Sequence, residues 1–402
     1  MTLPWRSAAT IALASILLVV VVRLRPPTDW VLTHFTFTYD VGFQRRALFG
    51  DLLAWLTPDG ITRAAGNGVA VILTLVSTAL IVAFVWRRCR VAQGAAGGLW
   101  LVLFATSLGL ATWIGNTGYL DTLAILPVLA ALSLDTTRPS RVVTACALVA
   151  GASLFHENAL PYFAPLVAAD IWLRNAGRPL PQRMAAALAP LGAGIAGTWA
   201  ILHFGTHPAD MLPQLRALSE ARSLDFPAWP SAVDVLAHLP PGARSTFDLT
   251  WSNGFYAIWL SVFILFGLIV LVPTVVLVLA AARHRPLPDR LAIAAAILAP
   301  LSLMFVAFEV SRFIAVAMLN AYLVGALLLR HDAAFAAGLA RVLTPANVIV
   351  LLMLHGHLML QDMNRHAVFY GGAPGALFTQ VSWFTGGAPV PGPADTVDPA
   401  AP

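Results

Sequence analysis

The chain contains no lysine, and all 24 of its basic residues are arginines. Acids number only 19, cysteines two, and charged residues make up 11% of the sequence against 59% hydrophobic ones. Soluble domains carry about a quarter charged residues and less than half apolar ones, so this balance excludes a water-soluble enzyme, a disordered chain and a nucleic-acid reader. Cys89 stands beside a basic run and Cys146 inside an apolar one, which excludes a disulfide framework. A Walker motif, a Gly-rich dinucleotide turn, Asp-x-Asp and His-Glu-x-x-His are all missing, so neither nucleotide hydrolysis nor zincin chemistry has support.

What is present in quantity is long apolar sequence. The runs suit helices crossing about 30 Å of hydrocarbon, and the alternating ten-residue stretches of a barrel do not occur. The expected fold is therefore all-α, a polytopic transmembrane bundle of about eleven spans, with nine to twelve as the range. The spans fall near 7–22, 68–86, 94–115, 119–134, 142–155, 158–173, 185–204, 254–282, 291–308, 313–329 and 346–360. The first run resembles a signal-peptide core but is followed by Arg23, Arg25 and two prolines without a cleavage pattern, so it reads as a retained span. Arg87, Arg88 and Arg90 mark a cytoplasmic end, which puts the N-terminus in the cytoplasm. Two large loops, 26–67 and 205–253, are then outside. Residues 1–362 form one membrane domain, and 363–402 are an irregular Pro/Gly-rich tail.

A charge at bilayer depth costs about 2.5–3.5 kcal/mol on insertion scales, so ionic residues at the outer ends of spans have a partner or a task. Four clusters lie there. The first contains Asp40, Arg45 and Arg46. Val41, Leu48, Leu52, Trp55 and Leu56 recur at three- and four-residue steps, which predicts an interfacial helix over about 41–56. Asp40 reads either as its N-cap or as a functional acid. The paired arginines read as holding a substrate phosphate or an ordinary lipid phosphate. The second cluster is the turn Gly115–Asp121, whose acid complements a helix dipole or serves the site. The third is His156-Glu157-Asn158, after an apolar run too short to cross the bilayer alone. The fourth is Glu309-Val310-Ser311-Arg312, where i, i+3 spacing allows an ion pair or leaves the arginine for an anion. Converged, these groups suit chemistry on a lipid-linked phosphorylated substrate, with arginines on the leaving phosphate and a carboxylate as base. A divalent cation between His156, Asp121 and a second acid is a further possibility.

The segment YDVGFQRRALFGDLL, the turn GNTGYLD, the element HEN and the turn EVSRF occur in an order that resembles a group of bacterial polytopic membrane proteins. Their layout is similar to the GT-C glycosyltransferases, which have many spans and a long first outer loop with interfacial helices. An acid in that loop acts as base. The resemblance implies an inner-membrane enzyme working at the periplasmic face, with a polyprenyl-phosphate-linked sugar as donor and a glycan or lipid as acceptor. It implies Asp40 or Glu157 as base, and Arg45, Arg46 and Arg312, with Glu309 beside it, at the phosphate. Asp121 and His156 position the acceptor or a cation. Two other classes remain open: an O-antigen-type polysaccharide polymerase, and a transporter or flippase of lipid-linked glycans. Nucleic acid is not an expected partner; membrane lipid is.

Overall fold

The computed structural model describes residues 3–92, 95–237, 267, 269–305 and 310–359. These residues are helical, with no strand among them and only two isolated bridges between extended segments. Helices α1 (Trp5–Arg23), α2 (Asp29–His34), α3 (Ala47–Leu56) and α4 (Arg63–Val91) come first. They are followed by α5 (Ala95–Ala105), α6 (Leu108–Gly115), α7 (Asp121–Ser133), α8 (Pro139–Phe155), α9 (Ala159–Arg174) and α10 (Leu180–Phe204). The rest comprises α11 (Leu212–Arg222), α12 (Pro230–Asp234), α13 (Val272–Ala281), α14 (Leu287–Leu298), α15 (Val310–His331), α16 (Ala333–Val342) and α17 (Pro345–Met359).

Among the described residues six helical stretches are long and apolar enough to cross a membrane: Trp5–Arg23, Arg63–Val91, Ala96–Gly115, Leu180–Phe204, Leu287–Met304 and Arg312–His331. The pair α16 and α17, bent by 81°, makes a seventh if it counts as one span. Helices also occupy the expected positions of α7, α8 and α9, but at 13, 17 and 16 residues they run about 20–26 Å, short of the hydrocarbon thickness. Residues 254–266, part of another expected span, lie outside the described residues, as does the tail from 360.

Local chemistry sets the breaks. The run expected as one span over 94–115 is interrupted at Thr106-Ser107, where the Ser107 hydroxyl accepts the Leu110 N–H at 3.2 Å and caps a new helix. Pro300 cannot donate to the Ala296 carbonyl one turn back, and α14 passes into a 3-10 helix, Ala299–Phe305. The Asn320 amide of α15 supplies the missing donor, at 3.0 Å from that carbonyl and 2.7 Å from the Tyr162 carbonyl of α9. One side chain thus ties three helices together. Helix α15 is buried along its whole spanning length, whereas α1 and α10 leave most of theirs exposed as apolar surface. It packs closely because of its small residues: a Cβ on Gly325 would stand 2.3 Å from the Trp100 ring, and one on Gly109 of α6 would stand 2.8 Å from the Leu319 backbone.

The loop after α1 and the loop after α10 fold together over one end of the bundle. Ile61 exchanges backbone hydrogen bonds with Arg222 and Leu224, and the Thr36 and Ser219 hydroxyls meet at 2.6 Å. Phe37 and Ala47 pack with Leu215, Val233 and Leu236. At the opposite end arginines terminate the helices: Arg88 and Arg174 both donate to the Leu132 carbonyl at the end of α7, and Arg183 and Arg285 share Asp289.

Candidate functional site

Five of the eight expected site residues come together under that double-loop cap. Asp121 begins α7, after a turn in which Gly118 takes φ +78° and donates its N–H to the Thr74 hydroxyl at 2.9 Å. A Cβ on Gly118 would collide with Ala70 at 2.6 Å, so the turn needs glycine for space as well as backbone angle. Arg312, in the first turn of α15, reaches Asp121 Oδ2 with Nε at 2.8 Å and Nη2 at 2.5 Å. Its guanidinium stands 4.6 Å from the Tyr119 ring centroid, a cation–π distance.

His156 ends α8 and Glu157 follows in the turn to α9. The Asn158 N–H donates to His156 Nδ1 at 3.0 Å, so in the neutral ring Nδ1 accepts and the proton sits on Nε2. That same Nδ1 lies 3.8 Å from Asp121 Oδ1 and 4.0 Å from Glu157 Oε2, between the two acids. Glu157 is held by Arg46, whose Nε is 3.1 Å from both carboxylate oxygens and whose Nη2 also bonds Oε1. Arg46 Nη1 donates to His34 Nε2 at 2.9 Å, and His34 Nδ1 bonds the Trp30 carbonyl at 2.7 Å, which fixes the tautomer of this second histidine. The order through space is Arg312, Asp121, His156, Glu157, Arg46, His34, drawn from five segments of the chain.

The cluster is buried, and burial sets its protonation. Desolvation, with Arg46 adding to it, pushes His34 down to about 3, so it is neutral at pH 7. Desolvation likewise drives His156 well below the usual histidine range, although Glu157 opposes it. Burial alone would raise the Glu157 carboxyl; Arg46, with Arg45 behind it, outweighs burial and holds it well below the ordinary range. Two acid–arginine pairs with neutral histidines between and beside them therefore form an electrically balanced row.

Three expectations are placed differently. The interfacial helix begins at Ala47, not near residue 41, so Arg45 and Arg46 lie in the preceding turn and Asp40 is not its N-cap. The N-cap position is Arg46 itself, in the left-handed region at φ 62°. Asp40 is exposed, accepts the Thr38 hydroxyl at 2.5 Å and forms no bond with the cluster. Glu309 lies outside the described residues, and Arg312 pairs with Asp121, 191 positions away in sequence. Arg45 joins neither pair. Among the described residues no three His, Cys, Asp or Glu side chains converge as metal ligands, because the carboxylates turn toward arginines instead.

Sequence reasoning passes over His34, Trp30, Arg23 and Arg25 as site neighbours. The Arg23 and Arg25 guanidiniums stand beside Gly115, under 4 Å from where its Cβ would be, and carry more positive charge to this end. Trp30 packs on His34 at a ring separation of 4.1 Å and on Tyr119 at 5.5 Å. Two clefts flank Tyr119. One is lined by Trp30, His34 and His156, the other by Thr112, Asn116, Asp121 and Arg312, and each has room for about one water molecule. Set against known family models, curated proteins and solved structures, the chain finds no match.

Proposed function

We propose that the protein is a membrane glycosyltransferase-like enzyme of GT-C layout, acting on a polyprenyl-phosphate-linked sugar at the periplasmic face of a bacterial inner membrane. The observation that carries this reading is the row of two buried acid–arginine pairs with His156 between them. The opposite end of the bundle is rich in arginine: Arg87, Arg88, Arg90, Arg138, Arg141, Arg174, Arg178 and Arg183. By the positive-inside rule that end faces the cytoplasm, together with the N-terminus, and the cluster faces out. In this reading the short helices α7 to α9 and the bent pair α16 and α17 join the six long spans, toward the expected count of about eleven.

The balanced charges suit a gated reaction. A guanidinium has five N–H groups; Arg46 uses one at Nε, one at Nη1 and one at Nη2, so one on each Nη stays available to a phosphate. A donor phosphate drawing Arg46 and Arg312 toward itself weakens their hold on Glu157 and Asp121. With Arg46 diverted, burial raises the Glu157 carboxyl and turns it from a poor base into an effective one. Glu157 then takes the proton from the acceptor hydroxyl as its oxygen bonds to the anomeric carbon. The bond from that carbon to the phosphate oxygen breaks, and its electron pair goes to the phosphate held by the arginines. His156 and Asp121 orient the acceptor, and Asp40 has no part.

The test is sugar transfer from a radiolabelled polyprenyl-phosphate donor in membranes. Glu157→Gln should lower the rate by roughly 10²-fold or more. The charge-swapped double variant, Arg46→Glu with Glu157→Arg, should restore protein yield without restoring transfer. Full transfer in Glu157→Gln removes the reading.

A further inference from the structure

Arg45 feels the Glu157 carboxylate through space but has no acid bonded to it among the described residues. Its Nε is buried without a hydrogen-bond acceptor among the described residues, and it forms no ion pair with a described carboxylate. Burial pushes it down to about 10, still charged at pH 7. Its backbone N–H is tied at 2.9 Å to the carbonyl of Gly205, the residue that ends α10. The side chain thus starts from the point where the end of α10 meets the turn into α3.

Both helices that run from this junction carry apolar side chains away from the protein along their length. On α3, Leu52, Trp55 and Leu56 are exposed at i, i+3, i+4 spacing, the last two at 79% and 80%. The other face of α3, with Ala47, Phe49, Gly50 and Leu53, is buried. Ten residues span only about 15 Å, so α3 cannot cross a bilayer and suits its boundary plane. On α10, Trp199, Leu202 and Phe204 are exposed close to the same junction. The apolar faces are open rather than enclosed, which suits acyl chains within a leaflet better than a ligand taken from water.

We infer that Arg45, with the exposed faces of α3 and the end of α10, forms a site for one anionic phospholipid. The phosphate lies on Arg45 and the chains lie along Leu52, Trp55, Leu56 and the α10 face. Arg45 and Arg46 share one turn, with Arg46 in a backbone region that non-glycine residues rarely adopt. A lipid that fixes Arg45 therefore also steadies the arginine that grips Glu157. This inference does not depend on sugar transfer, because its readout is lipid retention.

The test is native mass spectrometry of the full chain extracted from nanodiscs of phosphatidylcholine with and without phosphatidylglycerol. Phosphatidylglycerol should be retained over phosphatidylcholine, and Arg45→Gln should lower its retention about fivefold, the factor from ~1 kcal/mol per arginine at an anionic surface. Arg45→Lys should keep it, Trp55→Ser should weaken retention of both lipids, and excess inorganic phosphate should displace neither. Equal retention of the two lipids, retention unchanged in Arg45→Gln, or displacement by inorganic phosphate overturns the inference. Displacement of phosphatidylglycerol by an equal amount of a polyprenyl phosphate overturns it as well, since the occupant would then be a lipid-linked substrate.

Discussion

His34 shows how burial and hydrogen bonding choose a protonation state. Its Nδ1 proton goes to the Trp30 carbonyl and its Nε2 lone pair receives Arg46, so a second proton has nowhere to go. An unfolded chain binds that proton near pH 6.5, while the folded one resists it down to about 3. The unfolded state therefore holds more protons in between, and the stability that neutral His34 contributes, full above pH 6.5, drains away as pH falls toward 3. Melting in detergent should drop across this window, and His34→Gln should flatten the slope; an unchanged slope would mean that other groups set it. Asp121, His156, Glu157 and Arg312 are legible in the sequence because charges at span ends are costly and stand out. His34 is not, since a histidine in a polar loop looks solvated. The side on which Arg46 falls is hidden too, because a single left-handed residue has no hydrophobic signature.

Among the elements, α14 and α15 show a break and its repair on different helices. Pro300 leaves the Ala296 carbonyl without a donor, and Asn320 supplies one from α15. Asn320→Leu should destabilise the protein by about 0.6–2 kcal/mol, the scale of a buried hydrogen bond within a membrane bundle. Pro300→Ala should recover much of that loss in the double variant, because an alanine N–H at that position would restore the turn; additive losses in an unfolding assay would remove the pairing. Hydropathy locates the apolar helices, since burial in lipid acts on runs of residues, but passes over α2, α11, α12 and α16. It cannot reveal that 94–115 is two helices, because one serine hydroxyl at position 107 decides the matter. Nor can it give the start of α3, where the apolar steps from Val41 continue through a stretch whose backbone is a turn.

For the whole molecule the informative feature is the joint cap. In the sequence the two large loops read as separate outer segments, the first with an interfacial helix, yet they share a small core and a row of cross-links far apart in sequence. Nothing in either loop alone signals this, because complementarity between segments 183 residues apart leaves no local pattern. Replacing Thr36 and Ser219, whose hydroxyls touch, with cysteines should yield a disulfide under oxidation and a mobility shift on non-reducing gels. Failure to cross-link in folded protein would show that the loops move apart.

The longest reach in the cluster, from Asp121 to Arg312, has a consequence for how the protein is made. During synthesis Asp121 leaves the ribosome long before Arg312, the guanidinium that grips it in the finished fold. The growing chain must shelter that acid until α15 emerges. A chain cut short before Arg312 would lack that grip and the helix that covers it, giving membrane quality-control proteases a mark by which to tell an unfinished product from a finished one.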